Sequence, residues 1–340
     1  MSALSPQRAV LEEVPPVREQ VLKAAESGQL VIFVGAGVSR LVGGPSWEAL
    51  ADDLLKQLAE KNELTRLSYA ELEQLKCLEP KKRISIAMDI CEEAKFPPDF
   101  NRILQPKGPS VPLSPVYRDL YSIGAVFVTT NYDTWLDEEA GRTSPTLGAI
   151  EDGPEPEQQA IGIQSRQPGQ VFFRRADLTV EKLALPGSVI HLHGSLKDTG
   201  TMVLTTRKYL DHYGADTVRD FLDELFLRYT VLFVGYGLEE EEILSHIMRG
   251  GYPEKVREKE KRHYRLFPTF SYQNALFDYL SRYYLNHCNV ELVGFCTDKQ
   301  DDSQLEKVVT EWAWQIRRHL QPPKFLEKRK IIDGALDEET

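Results

Sequence analysis

The sequence predicts an α/β fold: one open parallel sheet with helices on both faces, plus a helical insertion. Three observations carry that expectation. Four runs, Leu30–Val34, Ala125–Thr129, Ser188–Leu192 and Val231–Val234, are mostly apolar without a clean alternation and rich in β-branched residues, as in strands buried on both faces. Segments with apolar residues at helical spacing separate them, and parallel strands need such crossovers. Each run also stops at a polar or glycine-rich turn, and in an open parallel sheet ligands sit outside the carboxyl ends of the strands.

Residues 1–16 hold Pro6, Pro15 and Pro16 and form an irregular lead-in. Val17, Val21, Leu22, Ala24 and Ala25 then mark a short helix closed by Gly28 in the C-cap position. The first strand runs into Gly35-Ala36-Gly37-Val38-Ser39-Arg40, a strand followed by a Gly-x-Gly turn. Such a turn can deliver backbone amides to a phosphate, or can simply let a sheet pack closely on its neighbours. The third glycine of a G-x-G-x-x-G fingerprint is replaced by Arg40, and the next helix is expected only after Ser46, a good N-cap ahead of Trp47, Leu50, Leu54, Leu55 and Leu58.

Residues from about 64 to 123 are helical in pattern and broken by prolines, which predicts a helical insertion. A strand ending in Thr130-Asn131-Tyr132-Asp133 follows. Residues 141–170 are poor in large apolar side chains and read as a long surface loop. Val171-Phe172-Phe173 is a candidate short strand, and the strand over 188–192 leads into His193-Gly194-Ser195. Met202–Thr205 is a further candidate strand, ahead of helices from Arg207 to Tyr229. The strand Val231–Val234 ends in Gly235-Tyr236-Gly237, and Glu239–Glu242 suit the positive end of the next helix. Strands near Tyr264–Leu266 and Val290–Val293, and helices over Tyr272–Tyr284 and Ser303–His319, complete the pattern; residues 321–340 form a charged tail.

Composition narrows the function. With 340 residues, 41% hydrophobic and 27% charged, the chain has material for a large core. A formal net charge of -11 argues against direct nucleic-acid binding. No apolar run approaches a membrane span and no leader precedes the first helix, so a cytoplasmic protein is expected. Cys77, Cys91, Cys288 and Cys296 form no C-x-x-C pair, so no metal site is expected.

Four strand ends in this order, Gly35-Ala36-Gly37-Val38-Ser39, Thr130-Asn131-Tyr132-Asp133, His193-Gly194 and Gly235-Tyr236-Gly237, resemble the motifs of a sirtuin-like protein of the prokaryotic antiphage-defence type. The first resembles that family's nucleotide-binding turn, the second its Gln-Asn-Ile-Asp-type motif, and the third its catalytic His-Gly. The resemblance implies a Rossmann-like domain over residues 17–320 and an NAD+ glycohydrolase that releases nicotinamide and ADP-ribose, depleting NAD+ in defence. Deacylase sirtuins carry a four-cysteine zinc module that the cysteines here cannot form by their spacing, and Gly44-Pro45-Ser46-Trp47 stands where they carry Pro-Asp-Phe-Arg.

On this resemblance Asn131 and His193 are the catalytic candidates. Asn131 can fix a water or a ribose hydroxyl, and His193 is the candidate general base. Gly35, Ala36 and Gly37 would hold the diphosphate through backbone amides with Ser39 as hydroxyl donor. Asp133 would accept from the carboxamide, while Gly235, Tyr236 and Gly237 would border the adenosine. Plainer readings stay open. Asn131 and Asp133 can cap the following helix, His191 and His193 can be hydrogen-bonded core residues, and Tyr236 can merely pack. An NAD+ or ADP-ribose sensor without turnover, or transfer of ADP-ribose or an acyl group, fits the same residues. Because NAD+ hydrolysis endangers its own host, a homo-oligomer and a separately encoded partner are expected; short sirtuin-like chains of this kind resemble those paired with a HerA-type ATPase or an Argonaute-like protein.

Overall fold

Every residue of Leu30–Val34 is buried, as are all four of Val126–Thr129, because both strands lie inside a sheet covered on each face. The computed structural model describes residues 11–65, 67–104, 114–142, 168–250, 263–298 and 303–321. Strands β1 (Leu30–Val34), β2 (Val126–Thr129), β3 (Val171–Phe172), β4 (Val189–His191), β5 (Thr230–Val234), β6 (His263–Thr269) and β7 (Val290–Cys296) form one sheet. Their order is β3-β4-β2-β1-β5-β6-β7, and every pair is parallel.

The chain builds outward from β1 through β2 to the β3–β4 edge, then returns to the other side of β1 and builds outward again through β5, β6 and β7. The order therefore reverses between β1 and β5, which opens a crevice beyond their carboxyl ends. Register brings the motifs level. Val34 lies opposite Thr129 and Val234, and Thr129 lies opposite His191, so all four predicted turns leave the sheet along one row.

Helices are α1 (Glu19–Glu26), α2 (Ala36–Leu41), α3 (Trp47–Glu60), α4 (Asn62–Thr65), α5 (Tyr69–Leu75), α6 (Pro80–Glu93) and α7 (Phe100–Leu104). The remainder are α8 (Val116–Ser122), α9 (Trp135–Gly141), α10 (Thr206–Tyr213), α11 (Asp216–Arg228), α12 (Glu241–Gly250), α13 (Asn274–Cys288) and α14 (Ser303–Leu320). Alternate residues of each strand feed opposite cores. Leu30, Ile32 and Val34 pack with α1, α8 and α14, whereas Val31 and Phe33 pack with α10, α11 and α12. No helix among the described residues is long and apolar enough to cross a membrane.

A third cluster joins Leu50, Leu54 and Leu58 of α3 to Ile84 of α6 and Ile103 of α7, and takes in Tyr132, Met202 and Leu204 from the ends of the sheet motifs. Helix α3 thus packs with the residues read as an insertion, while α8, inside the stretch 64–123, packs on the sheet through Val116, Tyr117 and Leu120. Arg83 of α6 is buried at 2% exposure and paired with Glu48 and Asp52 of α3, which ties the two helices.

Two local expectations are corrected. A short helix, α2, starts at Ala36, directly after β1 and ahead of the helix predicted from Ser46. Met202–Thr205 is no strand: a 3-10 turn at Thr199–Thr201 leads into extended backbone whose Val203 N–H donates to the His193 carbonyl at 2.8 Å. Its alternation is nonetheless real, since Met202 and Leu204 enter the third cluster while Val203 enters the core beside α11. Most of the loop over 141–170 and of the tail over 321–340, and residues 1–10 of the lead-in, fall outside the described residues. From Leu11 the lead-in is irregular and docked: the Pro15 carbonyl accepts from the Trp312 indole at 2.7 Å.

Candidate active site

The crevice at the β1–β5 reversal has two lobes. The outer one encloses about 950 Å³ and runs past Ala36, Gly37, Gly235, Tyr236 and Gly237 to Arg265 and Thr297. The narrower inner lobe is lined by Asn131, Asp133, His193, Trp47, Trp135 and Leu104. Ala36, Ser46, Trp47, Thr130 and Glu240 border both lobes and mark their junction.

At the junction two turns cross at backbone distance. Gly35 N–H donates to the Val234 carbonyl at 3.0 Å and Gly37 N–H to the Gly235 carbonyl at 2.8 Å. A Cβ on Gly35 would lie 2.6 Å from the Gly235 oxygen, and one on Gly235, whose φ is +64°, would lie 2.5 Å from the Val38 nitrogen. These glycines lock β1 against β5. Two of the three amides expected to face a diphosphate are engaged in that lock, whereas Ala36 stands exposed at the mouth of the crevice.

One wall of the inner lobe is a knot around Ser39. Its hydroxyl accepts from Asn131 Nδ2 at 2.9 Å, donates to Asp133 Oδ2 at 2.6 Å and lies 3.1 Å from the Tyr117 hydroxyl. Asn131 Nδ2 also donates to the Gly35 carbonyl at 3.1 Å, so both of its protons have acceptors and the amide is held in one orientation. Ser39 is therefore buried and organises its neighbours instead of facing the outer lobe. Asp133 accepts in addition from the Trp135 N–H at the start of α9, so the capping and lobe-lining readings both hold for it. Burial raises the Asp133 carboxyl above the usual carboxylate range, against the lowering effect of the Ser39 hydroxyl and of nearby His191.

Behind this wall, His191 bridges the Asn131 carbonyl at Nδ1, 3.0 Å, and Asp137 Oδ1 at Nε2, 2.7 Å, while Lys197 pairs with Asp137 Oδ2 at 3.0 Å. His191 is a buried tie between β4 and α9, remote from the lobe surface. His193, two residues on, is the one that lines the lobe.

The opposite wall is aromatic. His193 is 1% exposed and surrounded by Tyr132, Tyr209, His212 and Tyr213 at ring separations of 5.1 to 6.5 Å. Its Nε2 lies 2.7 Å from the Tyr213 hydroxyl, which donates to Glu240 Oε2 at 3.4 Å; Nε2 and Oε2 are 3.5 Å apart. Burial, then the charges of His212 and Lys81, holds His193 well below its usual pKa, so the ring is neutral. Burial and repulsion from Glu242 push Glu240 up to about 7.

Glu240 is the main residue that sequence reasoning missed. The run Glu239–Glu242 suits a helix start, and α12 does begin at Glu241. Leu238, however, adopts a left-handed φ of 55°, and that turn carries the chain so that Glu240 reaches the lobe junction. The only available signal was the position of the run just after a glycine-rich strand end. Tyr236 is 7% exposed and its ring lies 4.7 Å from Phe33 and 5.9 Å from Phe233, so it packs as well as bordering the outer lobe. Among the described residues no group of three or more His, Cys, Asp or Glu side chains is arranged to hold a metal ion.

Residues 125–293 match the family model of the SIR2-like domain. The match runs from β2 into β7 and contains Asn131, Asp133, His193, Gly235, Tyr236 and Gly237. It supports a sirtuin-like family and an NAD-related function. No curated protein matches the chain significantly.

Proposed function

We propose that this chain, with a SIR2-like domain match over residues 125–293 and the two-lobed crevice described above, hydrolyses NAD+ to nicotinamide and ADP-ribose. The observation that carries the reading is the meeting of Asn131, Asp133 and His193 in one narrow lobe that opens into a space of about 950 Å³, within the usual range for a ligand pocket. The outer lobe would take ADP-ribose and the inner lobe the nicotinamide riboside bond. Breaking that bond leaves positive charge on the ribose, while nicotinamide departs as a neutral base and needs no acid. The site's task is then to orient the dinucleotide, stabilise an oxocarbenium-like centre and deprotonate water.

The residues suit those tasks. With both Nδ2 protons engaged, Asn131 offers its amide oxygen to a water or a ribose hydroxyl. Asp133 can accept from the carboxamide, and its negative charge with that of Glu240 favours the developing cation. His193, kept neutral by burial, is free to accept a proton. The diphosphate would lie against the exposed Ala36 turn at the lobe junction. Unrestrained NAD+ hydrolysis would harm a host, so the reading extends to an NAD-depleting defence effector held in check by self-association and by a partner such as a HerA-type ATPase or an Argonaute-like protein.

Chromatography of NAD+ incubated with the protein tests this directly. Nicotinamide and ADP-ribose should form in equal amounts, and Asn131→Ala and His193→Ala should each abolish them. Full turnover in both variants, or tight binding with the nucleotide unchanged after long incubation, overturns the hydrolase in favour of a different site or of a sensor.

A further inference from the structure

His193 poses a problem for any reaction in which it takes a proton. It is almost wholly buried, with Lys81 and His212 nearby, and nothing bonded directly to its ring is an anion. An imidazolium formed there would be costly unless a negative charge stood close by. The chain supplies one through a single hydroxyl.

A single Tyr213 proton lies between His193 and Glu240. With that proton on the Glu240 side, 3.4 Å from Oε2, the Tyr213 oxygen accepts at 2.7 Å from His193 and the ring proton sits on Nε2; with it on the His193 side, the ring proton sits on Nδ1. In the first arrangement Nδ1 is the bare nitrogen, and it faces the Tyr209 hydroxyl at 3.5 Å, too long for a firm bond. Glu240 sits where the two lobes join, with its side chain about one-fifth exposed, so its charge is not sealed away from the site.

We infer that Glu240 is a positioning residue for His193: through the Tyr213 hydroxyl it selects the Nε2–H tautomer and stabilises the imidazolium that forms when Nδ1 takes a proton. The inference rests on the hydrolase reading for its chemistry but not for its geometry. In the step itself, the water oxygen bonds to C1′ of the ribose as the C1′–N bond breaks. The electron pair of that bond leaves on the nicotinamide nitrogen, and the water proton passes to Nδ1. The resulting imidazolium donates from Nε2 to Tyr213 and is balanced by the Glu240 carboxylate 3.5 Å away. Release of the Nδ1 proton to solvent after the products leave restores the starting state. This is the logic of a nucleophile-activating triad, with a tyrosine hydroxyl between base and carboxylate.

The groups around Glu240 set a carboxyl that changes charge near neutrality. Glu242 repels it from α12, and Lys81 attracts it from α6 while pairing with Glu242 at 3.0 Å. Tyr213 and Tyr209 face it from α10, Tyr236 from the β5 turn and Tyr132 from the β2 turn, all phenols that stay protonated at neutral pH. Glu240 ionises at about 7, so the supported form of His193 is populated as pH rises through about 7 and lost in acid.

Two measurements on Glu240→Gln and Tyr213→Phe decide the matter. Nicotinamide release from pH 5.5 to 9 should fall by about 100-fold in kcat, with KM within about threefold. The acid limb of wild-type kcat, near neutrality, should vanish in Glu240→Gln and be retained at reduced rate in Glu240→Asp. Independently of activity, ¹⁵N spectra should show His193 as the Nε2–H tautomer in the wild type, and a shift toward Nδ1–H in both variants. An unchanged tautomer in Glu240→Gln, or an unchanged acid limb, overturns the inference. A wild-type protein that leaves NAD+ intact overturns the hydrolase reading, and the tautomer shift then decides alone whether Glu240 governs His193.

Discussion

The two walls of the inner lobe are built on opposite principles. Around Ser39 every polar contact is short, from 2.6 to 3.1 Å, and buried donors meet defined acceptors. Around His193 the packing is aromatic, two of the polar contacts stretch to 3.4 and 3.5 Å, and the carboxylate ionises near neutrality. A fully satisfied network fixes geometry, whereas loose contacts beside a shifted carboxylate leave room for a proton to move. On the proposed reading, one wall positions and the other reacts.

The strongest way to break the comparison is to remove the frame that both walls share. In Gly235→Ala the new methyl meets the Val38 nitrogen at 2.5 Å, in a backbone with φ +64° that alanine resists. Nothing at that contact is a flexible side-chain tip, so β1 and β5 must separate. A loss on the order of 3 kcal/mol in urea unfolding, with no measurable turnover, is expected. Near wild-type stability would show that the crossing is looser than its distances imply.

The reacting wall carries a stability cost that the positioning wall does not. Burial raises Glu240 from the ordinary carboxylate range to about 7, so the folded protein binds a proton there more tightly than the unfolded chain does. That contribution is present in acid and is lost as pH rises through about 7. Glu240→Gln should therefore stabilise the fold at pH 8, by on the order of 2 to 3 kcal/mol, even as activity collapses, and the gain should shrink toward pH 5. Buried histidines act with the opposite sign. His212 and His263, both held near pH 4 by burial, and His193, held lower than usual, bind protons more readily when unfolded, so stability falls as pH drops below about 6.5. Thermal unfolding of wild type and Glu240→Gln across pH 5 to 8 separates the two trends.

These contrasts also explain what could be read from the sequence. Strand positions were legible because burial on both faces leaves unbroken apolar runs, and the level register then carries Asn131, Asp133 and His193 to one place. The roles within the first turn were not legible. Whether the amides of Gly35 and Gly37 face a ligand or the Val234 and Gly235 carbonyls depends on how closely β5 approaches, a tertiary distance with no local signature. Glu240 was hidden for a related reason: among four consecutive glutamates, only the left-handed turn at Leu238 selects the one that reaches His193. Helix α3 carried an ordinary amphipathic stripe, and no feature of that stripe says that it packs on α6 and α7 instead of on the sheet.

Ser39→Ala sharpens the comparison from the other side. The substitution leaves Asn131 Nδ2 one acceptor short and deprives Asp133 of its 2.6 Å donor, both in a buried setting. A loss of about 1 to 3 kcal/mol is expected, together with a fall of about 10-fold to 100-fold in kcat from disorder of Asn131. Loss of the Ser39 hydroxyl also lifts the Asp133 carboxyl further above the usual range, which adds an Asp133 limb on the acid side, while the limb set by Glu240 on the untouched wall should stay where it is in the wild type. Movement of that limb would show that the two walls are electrostatically joined.

The smallest effect is expected behind the positioning wall, at Lys197. Its ammonium lies 3.0 Å from Asp137 Oδ2 but its side chain is 43% exposed, so water already screens much of the attraction. Asp137 itself is buried and keeps the His191 ring at 2.7 Å when the lysine is gone. Because Asp137 Oδ2 is buried and loses its counter-charge, Lys197→Met should cost about 1 to 2 kcal/mol, with kcat within about twofold of wild type. A much larger loss, seen in the same urea and turnover assays, would mean that His191 and Asp137 hold the Asn131 carbonyl only with the help of that charge, and that positioning in this lobe is electrostatic as well as geometric.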